Sequence, residues 1–326
     1  MPRPRRMFIA NETYLATARV RSGLPFVPDR LINTFIKGVL ARAQHLYPVI
    51  VSDVIFMANH FHMIIVCKDP EVVRSFNCYV KGEIAKGINR MHGRTGPIWQ
   101  GRTDMPILLT PESIIEKIAY IYTNPVKAGL VDSIDQYPGI SSWKAFLNES
   151  KPESVPWVMT SYLKKITSGF GEAKLRENLI EEILNKKASE NNLQYYDIIF
   201  DPLGWVDALG ERAGMPKNEV KERIIERVRE IEKEIRESRI SRSIGAKALK
   251  SQSLFKSHKP SKYSRRVFCI SHDISLRKTF INIYKQFVET CRFIYEKWKK
   301  GYFHLKMPLG AFAPPQSITA VAVALF

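Results

Sequence analysis

Apolar and polar residues alternate from Glu12 to Val20, with Tyr14, Ala16, Ala18 and Val20 on one side. That two-residue period is the mark of a strand with one buried face. From Asp29 to His45 the spacing changes. Leu31, Phe35 and Val39 join Ile32, Ile36 and Leu40 in one stripe, as on an amphipathic helix. Two runs rich in β-branched and apolar residues, about Ile50 to Met57 and His60 to Val66, read as strands with a bend near Ala58-Asn59. Phe76, Val80, Ile84 and Ile88 recur every four residues and predict a helix from about Pro70 to Arg90. A loop with Gly93 and Gly96 leads to a short strand near Met105 to Leu109. After Thr110-Pro111-Glu112 a third helix is expected over roughly Ser113 to Thr123. Pro125 should close it, because the residue before a proline is pushed out of helical geometry.

The order β-α-β-β-α-β plus a helix predicts an α+β fold, a ferredoxin-like antiparallel sheet with helices on one face, over residues 1–148. The other face of that sheet is expected to be free. The run Glu149-Ser-Lys-Pro-Glu-Ser-Val-Pro156 has linker texture, placing a linker at 149–160. Residues 161–326 then read as a mainly helical basic region, an accessory DNA-binding domain. Within it Lys217 to Arg239 predicts a solvated helix with charge pairs four residues apart. Ala208 to Val220 and Ile240 to Leu249 faintly suggest helix-turn-helix and fit ordinary helix ends equally well. Arg239 to Arg266 differs: it holds nine Lys or Arg residues and no acid.

Composition sharpens the choice of partner. The formal charge is +18 over 326 residues, which favours a polyanion, nucleic acid first and an acidic membrane surface second. The acid-free segment is the better phosphate-binding stretch, since clustered Lys and Arg release counterions. Cys67, Cys78, Cys269 and Cys291 are scattered with no C-x-x-C spacing. A disulfide framework and a zinc ribbon are therefore not expected, and a reducing cytoplasm is. The basic start has no apolar core after it, and no apolar stretch is long enough to span a bilayer. The apolar tail Ile318 to Phe326 reads as a terminal strand or a frayed end.

The chemistry-bearing residues sit in two places. His60 and His62 flank Phe61 on the third expected strand, so both imidazoles share a face while Phe61 packs behind. A shared metal ion satisfies two such rings, and hydrogen bonds to neighbouring loops do so as well. On the third helix Tyr120 and Asn124 are four apart and share a face. An amide oxygen can join two imidazoles on a divalent ion, with the phenol one turn away. A phenol with pKa of about 10 is a poor nucleophile at neutral pH unless a metal polarises the electrophile. Phosphodiester cleavage by tyrosine fits these groups. Tyr122 is expected to pack the helix on the sheet.

His60-Phe61-His62 and Tyr120-Ile-Tyr-Thr-Asn124-Pro125-Val-Lys127-Ala-Gly-Leu-Val131 resemble the HUH motif and tyrosine helix of single-tyrosine transposases. Lys81-Gly82, Asn89-Arg90 and Gly96-Pro-Ile-Trp99-Gln100-Gly-Arg102 are similar too, as are the opening Pro-Arg-Pro-Arg, Tyr137-Pro138 and Ser141-Ser142-Trp143. The nearest branch is the REP-associated tyrosine transposases, whose tyrosine segment usually reads Tyr-Ile-His-x-Asn-Pro-Val-Arg-Ala-Gly-Leu-Val. The likeness covers about residues 1 to 145. It departs at Tyr122, where relatives often carry His, and at Lys127, where Arg is common. Insertion-sequence relatives use Gln as third metal ligand, where this chain offers Asn124.

The resemblance implies Mg²⁺ or Mn²⁺ held by His60 and His62 with Asn124 as third ligand, and Tyr120 as nucleophile. It also implies a 5′-phosphotyrosine intermediate, a free 3′-hydroxyl, a single-stranded or hairpin DNA substrate, and a monomer or homodimer. The expected DNA contacts are Arg3, Arg5, Arg6, Lys81, Arg90, Arg102, Lys127, Lys256, Lys259, Lys262, Arg265 and Arg266. Two other functions compete. One is a regulator that binds DNA hairpins without transposing them; no substitution at His60, His62 or Tyr120 favours it. The other is an amidohydrolase-type metal enzyme, which needs further clustered histidines and an aspartate. His45, His92, His258, His272 and His304 form no recognisable cluster. A nucleotide-driven enzyme is disfavoured by the lack of G-x-x-x-x-G-K-[ST].

Overall fold

The computed structural model describes residues 5–148, 151–189, 192–258 and 267–311. The first half runs β1 (Glu12–Arg19), α1 (Arg30–Leu46), β2 (Ile50–Met57), β3 (His60–Cys67), α2 (Pro70–His92), β4 (Ile107–Leu108) and α3 (Pro111–Lys127). α4 (Trp143–Leu147), β5 (Glu153–Pro156), α5 (Glu172–Ser189), β6 (Tyr195–Ile198), α6 (Gly204–Leu209) and α7 (Lys217–Ser238) follow. α8 (Ala246–Lys250), β7 (Cys269–Ile270) and α9 (Ile274–Lys299) come last. The expected α+β class holds: the main sheet has the order β2-β3-β1-β4-β7, antiparallel except where β7 joins β4 in parallel, and the later half is mainly helical.

Local chemistry sets the helix ends. Asp29 caps α1 by accepting from the Ile32 N–H at 2.9 Å. Asp69 and Pro70 open α2, and Gly93 ends it at φ +60°, a left-handed conformation that suits glycine. Thr110 and Pro111 open α3. That helix runs past Pro125 to Lys127 rather than stopping before it. The proline sits in the last turn, where losing one N–H costs little of the ladder. The helix then closes through Ala128 N–H on Asn124 O at 2.9 Å and Gly129 N–H on Val126 O at 3.0 Å.

Two apolar layers sandwich the sheet. On one side Tyr14, Ala16, Ala18, Phe61 and Met63 face Leu31, Phe35 and Val39 of α1 and Phe76, Val80 and Ile84 of α2. On the other, Leu15, Ile64 and Val66 face Ile114, Ile118 and Ile121 of α3, with Trp205 of α6 and Val220, Ile224 and Val228 of α7 behind. α1 and α2 thus share one face as expected, while the face expected to be free is covered. Each fully buried side chain of this size stabilises the fold by about 1.5–3 kcal/mol.

Residues on both sides of 149–160 share these layers. Val155 and Val158 are buried in the first. β5 pairs antiparallel with β6 and lies so close to α1 that a Cβ on Gly38 would meet the Pro156 carbonyl oxygen at 2.5 Å. α7 is solvated on its charged face and buried on the other. Arg176, 1% exposed, binds Asp29, Glu172 and the carbonyls of Lys250 and Gln252, so it ties the start of α1 to α5 and the loop after α8.

Candidate metal and tyrosine site

The site is assembled by strand register. His62 on β3 lies opposite Thr17 of β1 and Ile55 of β2, and His60 lies opposite Arg19 and Met57. Both histidines point to the α3 side, while Phe61 between them is fully buried on the α1 side against Phe56 and Trp99. The two imidazole centroids are 4.9 Å apart, and the His62 ring lies 5.7 Å from that of Tyr120 on α3. The strand pair and the helix, separate in sequence, therefore meet at His62.

Each imidazole has a partner on one nitrogen. His60 Nδ1 lies 2.7 Å from Asn59 Oδ1. An amide oxygen only accepts, so the ring carries its proton on Nδ1 and keeps a lone pair on Nε2. His62 Nδ1 lies 2.8 Å from Thr17 Oγ1, again directing Nε2 outward from that contact. Burial, then Arg19, then His258 push the His60 pKa down to about 4. Burial, then His60, Arg19 and Lys117, hold His62 well below its ordinary value. Both rings are neutral at pH 7, the form that binds a metal.

Asn124 is buried, and its Nδ2 has no hydrogen-bond partner among the described residues. No hydrogen bond joins Asn124 to either histidine. The two neutral imidazoles, each held from behind at Nδ1, are groups that fit a divalent ion. The unpartnered Nδ2 of Asn124 is a hydrogen-bond donor, and only its amide oxygen could join them. Among the described residues no group of three His, Cys, Asp or Glu side chains is placed to hold a metal. Tyr120 is half-buried, with the Lys117 and Lys127 ammoniums 5.4 Å and 4.9 Å from its ring centre. Tyr122 points the other way. It is fully buried, donates to Asp53 Oδ1 at 2.5 Å and lies 2.9 Å from Ser142 Oγ. Burial raises the pKa of Asp53 to about 7 and that of Tyr122 well above its usual value.

The other expected contact residues divide. Lys127 is at the tyrosine. Arg6 bonds the Thr103 carbonyl, Lys81 the Gly101 carbonyl at 2.7 Å, and Arg90 the Leu163 carbonyl at 2.5 Å, so all three brace loops of the protein itself. Burial brings the pKa of Lys81 down to about 8. Arg102 shares with Arg5 and Arg6 a small pocket near β4 and α9, and Arg5 also faces the Tyr295 ring at 6.0 Å. Lys256 lies beside Gly23, whose N–H donates to the His258 carbonyl at 3.0 Å. Phe255, in the same basic segment, packs on His92 with centroids 4.7 Å apart. Arg3, Lys259, Lys262, Arg265 and Arg266 lie outside the described residues.

Sequence reasoning missed Thr17, Arg19, Lys117 and His258. Lys117 was within reach, since a residue three before Tyr120 shares its helix face. Thr17 and Arg19 needed the strand register, and His258 the path of the basic segment.

No protein-family model and no curated protein matches the chain. Among solved structures it is similar to one described as "Structure of the REP associates tyrosine transposase bound to a REP hairpin". Identity is 19%, the match covers 45% of this chain and 86% of that one, and the TM-score is 0.35. No helix among the described residues is long and apolar enough to cross a membrane.

Proposed function

We propose that this chain is a metal-dependent single-tyrosine DNA endonuclease and strand-transfer enzyme of the REP-associated transposase kind, acting on single-stranded DNA near hairpins. The observation that carries the reading is the His62 ring, 4.9 Å from His60 and 5.7 Å from Tyr120. Residues with the motif spacing of that family thus converge from a strand and a helix.

The Tyr120 hydroxyl oxygen attacks the scissile phosphorus and gives its proton to solvent. A phosphorus–oxygen bond forms to the tyrosine as the bond to the 3′-oxygen breaks, and that oxygen takes up a proton to leave as a 3′-hydroxyl. A 3′-hydroxyl attacking the 5′-phosphotyrosine reverses the sequence and rejoins strands. Mg²⁺ or Mn²⁺ bound by His60 and His62, with Asn124 completing the set, would supply positive charge to the scissile phosphate. Thr17 and Asn59 hold the rings in position. Lys127 and Lys117 favour an anion at the tyrosine, and Arg5, Arg102 and the basic segment from Lys256 onward contribute phosphate affinity.

The test is a denaturing gel. Native protein incubated with Mn²⁺ and a hairpin-flanked single strand should give a protease-sensitive covalent adduct, absent from Tyr120→Phe. Tight hairpin binding with no adduct under any metal would instead favour the regulator.

A further inference from the structure

The Tyr120 side chain opens into a groove of about 370 Å³ between α3 and α7, closed at one end by the β7–α9 turn. More than half of its wall, from Arg227 to His272, comes from beyond the stretch that carries the transposase resemblance. Lys117, Lys127 and Arg227 converge on it, while Ile231, Ile235 and Ile270 give it an apolar side. Glu116 and Glu234 are also on the rim. Arg227 is committed to carboxylates, its Nε to Glu116 at 3.1 Å and its Nη1 to Glu230 at 3.2 Å, which leaves Lys117 and Lys127 on the groove wall with Glu234. The charge of Lys127 is disfavoured first by burial, then by Lys117 and by Arg227. An anion between the lysines would remove that cost.

We infer that this groove seats one nucleotide of a single strand, its phosphate between Lys117 and Lys127 and its base on the Ile231, Ile235 and Ile270 side. The inference rests on the DNA-cleavage reading and deepens it: α7 would select which nucleotide adjoins the bond at Tyr120. A phosphate needs cations and a base an apolar surface to leave water on, and the groove offers both beside the Tyr120 hydroxyl.

The experiment uses the full chain carrying Tyr120→Phe, so that nothing reacts, with single-stranded oligothymidylate as probe. Lysine acetylation is followed by mass spectrometry. At nine-tenths occupancy, acetylation of Lys117 and Lys127 should slow by about tenfold, while Lys233, exposed on α7, keeps its rate. Rates at Lys117 and Lys127 that do not change on adding the oligonucleotide would overturn the proposal. Glu234→Lys on the rim should tighten binding and steepen its salt dependence by ~0.7, more than Glu237→Lys on the same helix. Equal effects of the two changes would remove α7 from the site. Adduct formation by the native chain is read in parallel. An adduct without protection overturns the groove and leaves the cleavage reading. Protection without an adduct does the reverse.

Discussion

The hydroxyl of Thr17 lies 2.8 Å from Nδ1 of His62, across the pairing of β1 with β3. A central strand that carries neither histidine thus fixes the orientation of the ring that stands between His60 and Tyr120.

Thr17→Val keeps the branched shape suited to a strand and removes only that hydrogen bond. Mn²⁺ affinity, read by electron paramagnetic resonance on the intact chain, should fall by about 10–100-fold. EDTA should abolish the adduct in native protein. Unchanged Mn²⁺ affinity in the variant would show that Thr17 does not position the ligand.

The two tyrosines of α3 should separate cleanly. Tyr122→Phe removes a buried donor to Asp53, and the denaturation midpoint should drop by the equivalent of ~1–3 kcal/mol while the adduct persists. An adduct lost with Tyr122→Phe and kept with Tyr120→Phe would reverse the assignment.

Asp53 makes stability depend on pH. Its folded pKa, about 7, lies above the ordinary 3.8, so between those values the folded state holds a proton that the unfolded state has lost. The contribution is full below pH 4 and is lost as pH rises towards 7, by up to ~4 kcal/mol. Asp53→Asn should flatten urea midpoints over that window, because Ser52 can still donate to the Pro202 carbonyl at 3.0 Å. An unchanged slope would mean that another group titrates.

Replacing Lys256, Lys259, Lys262, Arg265 and Arg266 by Ala should weaken DNA binding for all sequences alike. The slope of log affinity against log salt should flatten by ~0.7–0.9 for each phosphate that the segment no longer neutralises, with cleavage at saturating DNA retained. Binding titrations at several salt concentrations decide this, and a constant slope would leave the segment as a connector.

What the chain reveals in one dimension follows the range of the forces. The Ile50–Met57 and His60–Cys67 hairpin and the stripes of α1 and α2 were legible because period and capping are local. β7 was not, since two residues become a strand only by finding Ile107 and Leu108. Val220, Ile224 and Val228 of α7 were overlooked amid dense charge, so the covered second face was missed. His60, His62 and Tyr120 could be named from spacing and family likeness. The partners that orient them could not, because strand register is a tertiary outcome.

The parallel pairing of Cys269 with Ile107 has a consequence for biosynthesis. β4 leaves the ribosome roughly 160 residues before its neighbour, and at ~5–20 residues per second that is a wait of about 10 to 30 seconds. α7 also emerges long after α3, which it covers. Until α7 is made the nascent chain carries a bare apolar face, and until β7 follows it carries an incomplete sheet, the states in which a chaperone would find it.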